Sequence, residues 1–276
     1  MTEPVAPLRS HANIRVEQEG YVTTVTIDRP EAKNACTGIM WVALGEVFRE
    51  IAYSGSRAVI LTGADGDFCA GADLGGSGDF SGGGGAAASG TGTFVDGMRV
   101  LGDAVVAVHG CPVPVIAKVD GVCVGAGFGL ALAADMIWCS DRARFSAIFA
   151  KRGLSLDFGT SWLLRQRVGV HLAKQIAFTA EMIPAARAYE HYRFVNEVVP
   201  AADLDAAVAE VAGIVAGGPP IALSMTKREL DNAGSSTLLQ SLEVEALAQN
   251  VNLHSTDMRE ALMAFFEKRT PNFEGR

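Results

Sequence analysis

Two glycine-centred segments of this 276-residue chain carry the residue types that chemistry by backbone amides requires. The first reads Asp67-Phe-Cys-Ala-Gly-Ala-Asp-Leu74 and follows an apolar run that ends at Gly63. The second reads Val119-Asp-Gly-Val-Cys-Val-Gly-Ala-Gly-Phe-Gly129 and leads into an apolar stretch of helical character. Gly and Ala let a ligand approach the main chain, and a helix N-terminus presents unpaired N–H groups with a partial positive charge. Two such segments facing each other would hold an anionic oxygen between two amides. Close packing of a helix on a sheet is the other reading of each segment taken alone. Gly125 to Gly129 shares glycines with a dinucleotide fingerprint, but the last glycine is missing and the motif follows the third or fourth strand, not the first.

Other reactive side chains form no comparable cluster. Asp65 and Asp67 suit turns, Asp79 lies in a glycine-rich run, and Asp120 opens the second segment. His109, His171 and His191 lack metal-ligand spacing. Cys69 and Cys123 have no neighbouring base in sequence, so apolar packing is their expected role.

Elements that would position the two segments can be read from hydrophobic spacing. Alternation in Ile14 to Glu19 and Tyr21 to Ile27, with Gly20 between, predicts a strand pair. A helix from about Thr37 to Ala52 then leads to a buried strand at Arg57 to Gly63. Val115 to Val119 and Met136 to Ser140 repeat that strand pattern, with helices predicted at Phe94 to Val108 and Ala126 to Ala134. Strand, helix, strand implies an α/β core with parallel pairing. Beyond about residue 160 the pattern turns helical: Ser161 to Arg167, Val170 to Thr179, Pro184 to Glu190, Leu204 to Ala216, Pro219 to Asn232, Thr237 to Asn250 and Thr256 to Lys268. Apolar residues surround much of Leu238 to Leu253, which suits packing on a partner subunit.

Composition sets limits on all of this. Half of the chain is hydrophobic (49%), enough for a large core without disulfides, and excludes disorder. Its 23 basic against 31 acidic residues, net −8, with no basic block, argue against nucleic acid as a partner. The longest apolar run, Val122 to Ala134, has 13 residues, short of the roughly 20 that a membrane span needs. Five cysteines without a CxxC pair and a polar start at Met1 to Asn13 point to a reducing, cytoplasmic setting. Residues 1–13 are expected to be a flexible N-terminus, 14–200 the α/β core and 201–276 a helical region. Gly75 to Gly92, with nine glycines, reads as a surface loop and a candidate lid.

Four motifs together resemble the enoyl-CoA hydratase/isomerase (crotonase) family: Asp28-Arg-Pro-Glu-Ala-Lys-Asn-Ala35, Phe68-Cys-Ala-Gly-Ala-Asp-Leu74, Asp120-Gly-Val-Cys-Val-Gly-Ala-Gly-Phe-Gly129 and Phe265-Phe-Glu-Lys-Arg-Thr-Pro-Asn-Phe273. The resemblance runs in order from about Ile14 to the C-terminus. It implies an α/β spiral of β-β-α units, a C-terminal helical part that builds a homotrimer or a dimer of trimers, and acyl-CoA thioesters as substrates, with no metal or redox cofactor. Position by position, it assigns the backbone amides of Ala72 and Ala126 to an oxyanion hole. Lys33 and Ala35 match the holders of the adenine and phosphate end of CoA. Ala70, Asp73 and Leu74 match the pantetheine channel, Val124 and Gly125 are further CoA-binding positions, and Phe265 and Lys268 match contacts made from the terminal helix.

The chain departs from the hydratase pattern at the acids. Hydratases of the family polarise a water with two Glu residues, whose positions align here with Gly129 and Phe149. One carboxylate, Asp157, aligns with the acid of enoyl-CoA isomerases, which moves a proton between C2 and C4. If Leu156, Phe158 and Trp162 surround it, desolvation raises its pKa towards neutrality; a helix N-cap is its alternative role. The expectation is an enoyl-CoA isomerase, with a 2-enoyl-CoA hydratase and a non-catalytic acyl-CoA binder as alternatives.

Overall fold

The computed structural model describes residues 8, 10, 11, 13–73 and 93–276. Leu74 and the run Gly75 to Gly92 lie outside the described residues, as does most of the segment before Asn13.

Strands β1 (Ile14–Glu19) and β2 (Val22–Ile27) pair antiparallel across a tight turn in which Gly20 takes a φ of +57°. Thr37 accepts a hydrogen bond from the Met40 amide and so caps α1 (Gly38–Ile51). This helix buries Met40, Trp41, Leu44, Val47, Phe48 and Ile51, an i, i+4, i+7 stripe, and returns the chain to β3 (Ala58–Gly63). A Thr93–Asp96 capping box opens α2 (Phe94–His109). There follow β4 (Val115–Val119), β5 (Val122–Val124), α3 (Ala126–Ala133), β6 (Met136–Ser140), β7 (Arg144–Ser146), α4 (Thr160–Thr179), β8 (Ile183–Pro184), α5 (Ala185–Arg187) and β9 (Glu197–Val199). The chain ends with α6 (Leu204–Ala216), α7 (Pro220–Ala233), α8 (Leu238–Leu253) and α9 (Thr256–Glu267).

A six-stranded sheet in the order β1-β2-β3-β4-β6-β9 is parallel except for β1, and β5-β7-β8 form a second sheet of three strands. Period-2 alternation divides the large sheet between two cores. Val59, Leu61, Val115 and Ala117 pack with α1, α2 and α3, while Ala58 and Ile116 face the opposite side and pack with Leu204, Val208, Ala212 and Ala216 of α6. Every residue of α3 is buried, so its near-continuous apolar sequence is that of a helix without a solvent face.

Because β3, β4 and β6 are parallel neighbours, the connections that leave their C-terminal ends gather at one edge of the sheet. Those connections are 64–72, 120–125 and 141–159, and open α/β sheets characteristically place their ligand sites at that edge. The helices expected at 161–167 and 170–179 run together as α4, broken at Gly169 (φ +76°) where the sequence predicts a gap. Two readings are corrected. The helix expected over 184–190 is only α5 followed by a π-turn at Ala188–Tyr192. Strands β5, β7, β8 and β9, two or three residues each, were invisible because so few residues carry no period.

Candidate active site

The two glycine-centred segments lie side by side. Cys69 bridges Cys123 in parallel register: the Cys69 amide donates to the Val122 carbonyl at 2.9 Å, and the Val124 amide to the Cys69 carbonyl at 3.0 Å. The Asp67 carboxylate accepts from the Val122 amide at 2.7 Å, a bond between the two segments rather than the local turn role expected of it. Two glycines permit this approach. A Cβ on Gly127 would lie 2.4 Å from the Cys69 carbonyl oxygen, and one on Gly71, where φ is +94°, would lie 3.0 Å from the Val124 oxygen and 3.4 Å from the Ala126 nitrogen.

Asn34 fixes the first segment from below. It is fully buried, donates from Nδ2 to the carbonyls of Ala64 (2.8 Å) and Asp67 (2.6 Å), and accepts from the Arg29 amide at 2.9 Å. Next to it, the Cys36 amide donates to Gly71 and the Asp73 amide to the Cys36 carbonyl, so Ala72 is held between two bonds with its own N–H on the other side. Ala126 is the first residue of α3, after Gly125 at φ +58°. Neither the Ala72 nor the Ala126 amide donates to an acceptor among the described residues. Both are free main-chain donors of the kind a helix or strand end leaves over.

These donors line a cavity of about 230 Å³. Ala70, Gly71 and Ala72 form one wall, Val124, Gly125 and Ala126 another, and Ile148, Phe149, Arg152, Leu154 and Asp157 the third. Asp157 reaches the cavity through two successive left-handed residues, Phe158 (φ +47°) and Gly159 (φ +67°). A left-handed non-glycine costs on the order of 1–2 kcal/mol. Here the Phe158 ring is buried against Trp41, centroids 4.5 Å apart, which holds the turn. The Asp157 carboxylate has a buried oxygen, Oδ1, without a hydrogen-bond partner, and burial alone pushes its pKa up to about 6. Its main-chain carbonyl, not its side chain, accepts from the Thr160 amide, and no side chain caps α4. The N-cap role is therefore not the one it takes. The apolar wall it shares is Ile148, Phe149 and Leu154; of the residues expected around it, Trp162 turns its ring to His109, centroids 5.5 Å apart.

At Gly129 a side chain has no room. An added Cβ would lie 2.6 Å from the Phe158 carbonyl oxygen and 2.7 Å from the Thr160 hydroxyl. Phe149 stands in the cavity wall as an apolar ring.

Of the sequence-derived candidates, Ala70, Ala72, Val124, Gly125, Ala126 and Asp157 meet in this cavity. Lys33 borders it, since its carbonyl accepts from the Ala70 amide at 3.0 Å, while its side chain is exposed. Ala35 is buried and its carbonyl is bound by Arg29, whose guanidinium also pairs with the Asp73 carboxylate at 2.9 Å. Phe265 and Lys268 are exposed at the end of α9 and do not line the cavity. Leu74 lies outside the described residues.

Asp120 serves the fold. Burial pushes its pKa up, but bonds from Arg142 and Ser140 outweigh this and hold the carboxyl below its usual range. Cys123 is buried, which pushes its thiol pKa up, in keeping with packing rather than reactivity. Ile148, Arg152 and Leu154 were missed in the sequence. They belong to an irregular connection with no period, and only their nearness to Asp157 in the chain pointed to them.

The family model for enoyl-CoA hydratase/isomerase matches residues 17–276. A Rhodobacter capsulatus protein named "probable enoyl-CoA hydratase" is 34% identical over 97% of this chain and 100% of its own. The 1,2-epoxyphenylacetyl-CoA isomerase of Escherichia coli is 32% identical over 92% of this chain and 95% of its own. Among solved structures, an enoyl-CoA hydratase from Bacillus anthracis superposes with a TM-score of 0.87 at 29% identity, covering 96% of this chain and 100% of that one.

Proposed function

The chain belongs to the enoyl-CoA hydratase/isomerase family, acyl-CoA enzymes of the crotonase fold, and from that premise we propose that it shifts a carbon–carbon double bond within an enoyl-CoA. The thioester carbonyl oxygen of a 3-enoyl-CoA accepts hydrogen bonds from the Ala72 and Ala126 amides. Asp157 removes a proton from C2, and the electron pair of that C–H bond delocalises over the thioester oxygen and the double bond. Two fixed amides stabilise the resulting enolate more than the neutral carbonyl, so they act on the barrier. The same carboxyl then returns the proton at C4, and the double bond comes to rest between C2 and C3. Every proton passes through Asp157 and every developing charge falls on the amides, so the cycle calls for no redox or metal cofactor.

The observation that carries this reading is Asp157, the one carboxylate among the described residues that line the donor-lined cavity, its pKa raised to about 6. A base that must take and return a proton works best with a pKa near the operating pH. Hydration, the activity in the name of the Rhodobacter relative, would need a second acid to hold the water. The positions aligned with the family's two Glu residues carry Gly129, closed by Phe158 and Thr160, and the ring of Phe149. Incubating the protein separately with 3-hexenoyl-CoA and 2-hexenoyl-CoA and weighing the products tests the choice. The isomer of unchanged mass should form from the first substrate faster than a product one water heavier forms from the second; the reverse ratio would make the protein a hydratase.

Assembly as a homotrimer or a dimer of trimers belongs to the same reading. Support comes from the exposed apolar residues of the last two helices, Leu238, Leu239, Leu242 and Leu247 on α8 and Phe265 and Phe266 on α9, which a partner subunit would cover. Lys33, Ala35 and Asp73 with Leu74 are proposed for the CoA end of the site, and Phe265 and Lys268 for contacts reaching it from α9.

A further inference from the structure

The wall of the cavity that carries Asp157 also includes an exposed arginine that the proposed proton transfer does not use. Arg152 ends the 3-10 segment Ile148–Arg152 and lines the cavity together with Ile148, Phe149, Leu154 and Asp157. Its guanidinium has neither an ion-pair partner nor a hydrogen-bond acceptor among the described residues. Arg144, Arg165, Arg193, Arg228 and Arg259 are likewise exposed and without an ion-pair partner among the described residues, but none of them lines this cavity, while Arg29, Arg187 and Arg269 close on Asp73, Glu181 and Glu260. Arg152 and Asp157 share the cavity wall without an ion pair between them, and Asp157 Oδ1 has no hydrogen-bond partner.

A plain hydrocarbon chain would be served by Ile148, Phe149 and Leu154 alone. Such a chain offers a guanidinium at the cavity wall no hydrogen-bond acceptor. A carboxylate would answer both donor edges of the guanidinium at once. Position argues for the acyl end of the ligand. Lys33, proposed for the phosphate end of CoA, borders the cavity at Ala70, whereas Arg152 belongs to the connection between β7 and α4 that also carries Asp157.

We propose that Arg152 is a specificity-determining residue that recognises a carboxylate at the far end of the acyl group, so that the substrates are ω-carboxylated enoyl-CoAs rather than simple alkyl ones. This rests on the reading that the acyl group occupies this cavity, and it is tested with ligands that cannot react. Adipoyl-CoA and hexanoyl-CoA match in chain length, lack a double bond and differ in the terminal carboxylate. Their binding to the native protein, Arg152→Gln and Arg152→Lys is measured by calorimetry, with free CoA as a third ligand. Adipoyl-CoA should bind the Gln variant about 10-fold more weakly than the native protein, with the Lys variant between them. Hexanoyl-CoA and free CoA should stay within about twofold across all three proteins. Native affinity for adipoyl-CoA no higher than for hexanoyl-CoA would overturn the proposal. So would an equal loss of all three ligands in the Gln variant, which would assign the guanidinium to the phosphates of CoA. Both outcomes are independent of turnover: a protein that selects adipoyl-CoA but fails to isomerise overturns the proposed reaction and leaves this assignment standing.

Discussion

Asp157 is useful as a base only when ionised, and its surroundings make ionisation costly. Burial with no hydrogen bond to one oxygen lifts its pKa to about 6, so isomerisation should rise through that pH and reach a plateau above it; a flat profile between pH 5 and pH 7 would count against Asp157 as the base. The same shift has a stability consequence. Above about pH 6 the folded state carries a charge that the unfolded chain solvates better, and below the ordinary value of 3.8 both states are protonated and the penalty vanishes. Asp157→Asn should therefore melt at a higher temperature than the native protein at pH 7 to 8, the gain tapering away as pH falls from 6 to 4. A lower melting temperature at pH 8 would mean that the carboxylate stabilises the fold. The identity of Asp157 was legible from the motif around it. Its burial was not, because the walls come from Ile148, Phe149 and Leu154 rather than from the expected Trp162.

At the scale of elements, the site depends on two segments touching through glycines. Gly127→Ala would press a methyl group against the Cys69 carbonyl, 2.4 Å away, and should destabilise the protein by about 1–3 kcal/mol in chemical denaturation. Activity should fall further than stability, since Ala72 and Ala126 must keep their spacing. Asn34→Ala removes the Nδ2 donor from two half-buried carbonyls at 2.8 and 2.6 Å, at a cost of about 1–3 kcal/mol for the acceptors left unpaired. Gly129→Glu restores a family acid in name only, because the Phe158 carbonyl and Thr160 hydroxyl occupy the space. Hydration by that variant at rates near its own isomerisation would refute the claim that packing closes this position. The glycines themselves were legible in sequence, and with them the strands β3 and β4 and the helix α3 that they join. The clamp made by Asn34 was not, because its acceptors lie 30 and 33 residues away and no local pattern marks them.

For the whole molecule, parallel order decides where function sits: three neighbouring strands send their C-terminal connections to one edge, and the donors and the acid arrive there from separate parts of the chain. That convergence was implied by family resemblance and by strand, helix, strand alternation, while the second sheet, which carries the second donor segment, and the lone Cys69–Cys123 bridge to the first were too short to read. The apolar residues left exposed on α8 and α9 belong to this scale as well. Sedimentation should give three or six chains per particle, and Leu242→Glu, at a residue 50% exposed in the single chain, should shift the protein towards monomer; an unchanged particle would place the interface elsewhere. The central claim, that one carboxylate carries the proton across the allyl unit, is tested most directly by the turnover of 3-hexenoyl-CoA to the 2-enoyl isomer by Asp157→Asn beside the native protein. The rate constant should fall by about 10²- to 10⁴-fold with KM changed little, because the amides and cavity remain. Turnover within about tenfold of native would contradict the account and show that the proton moves through another group.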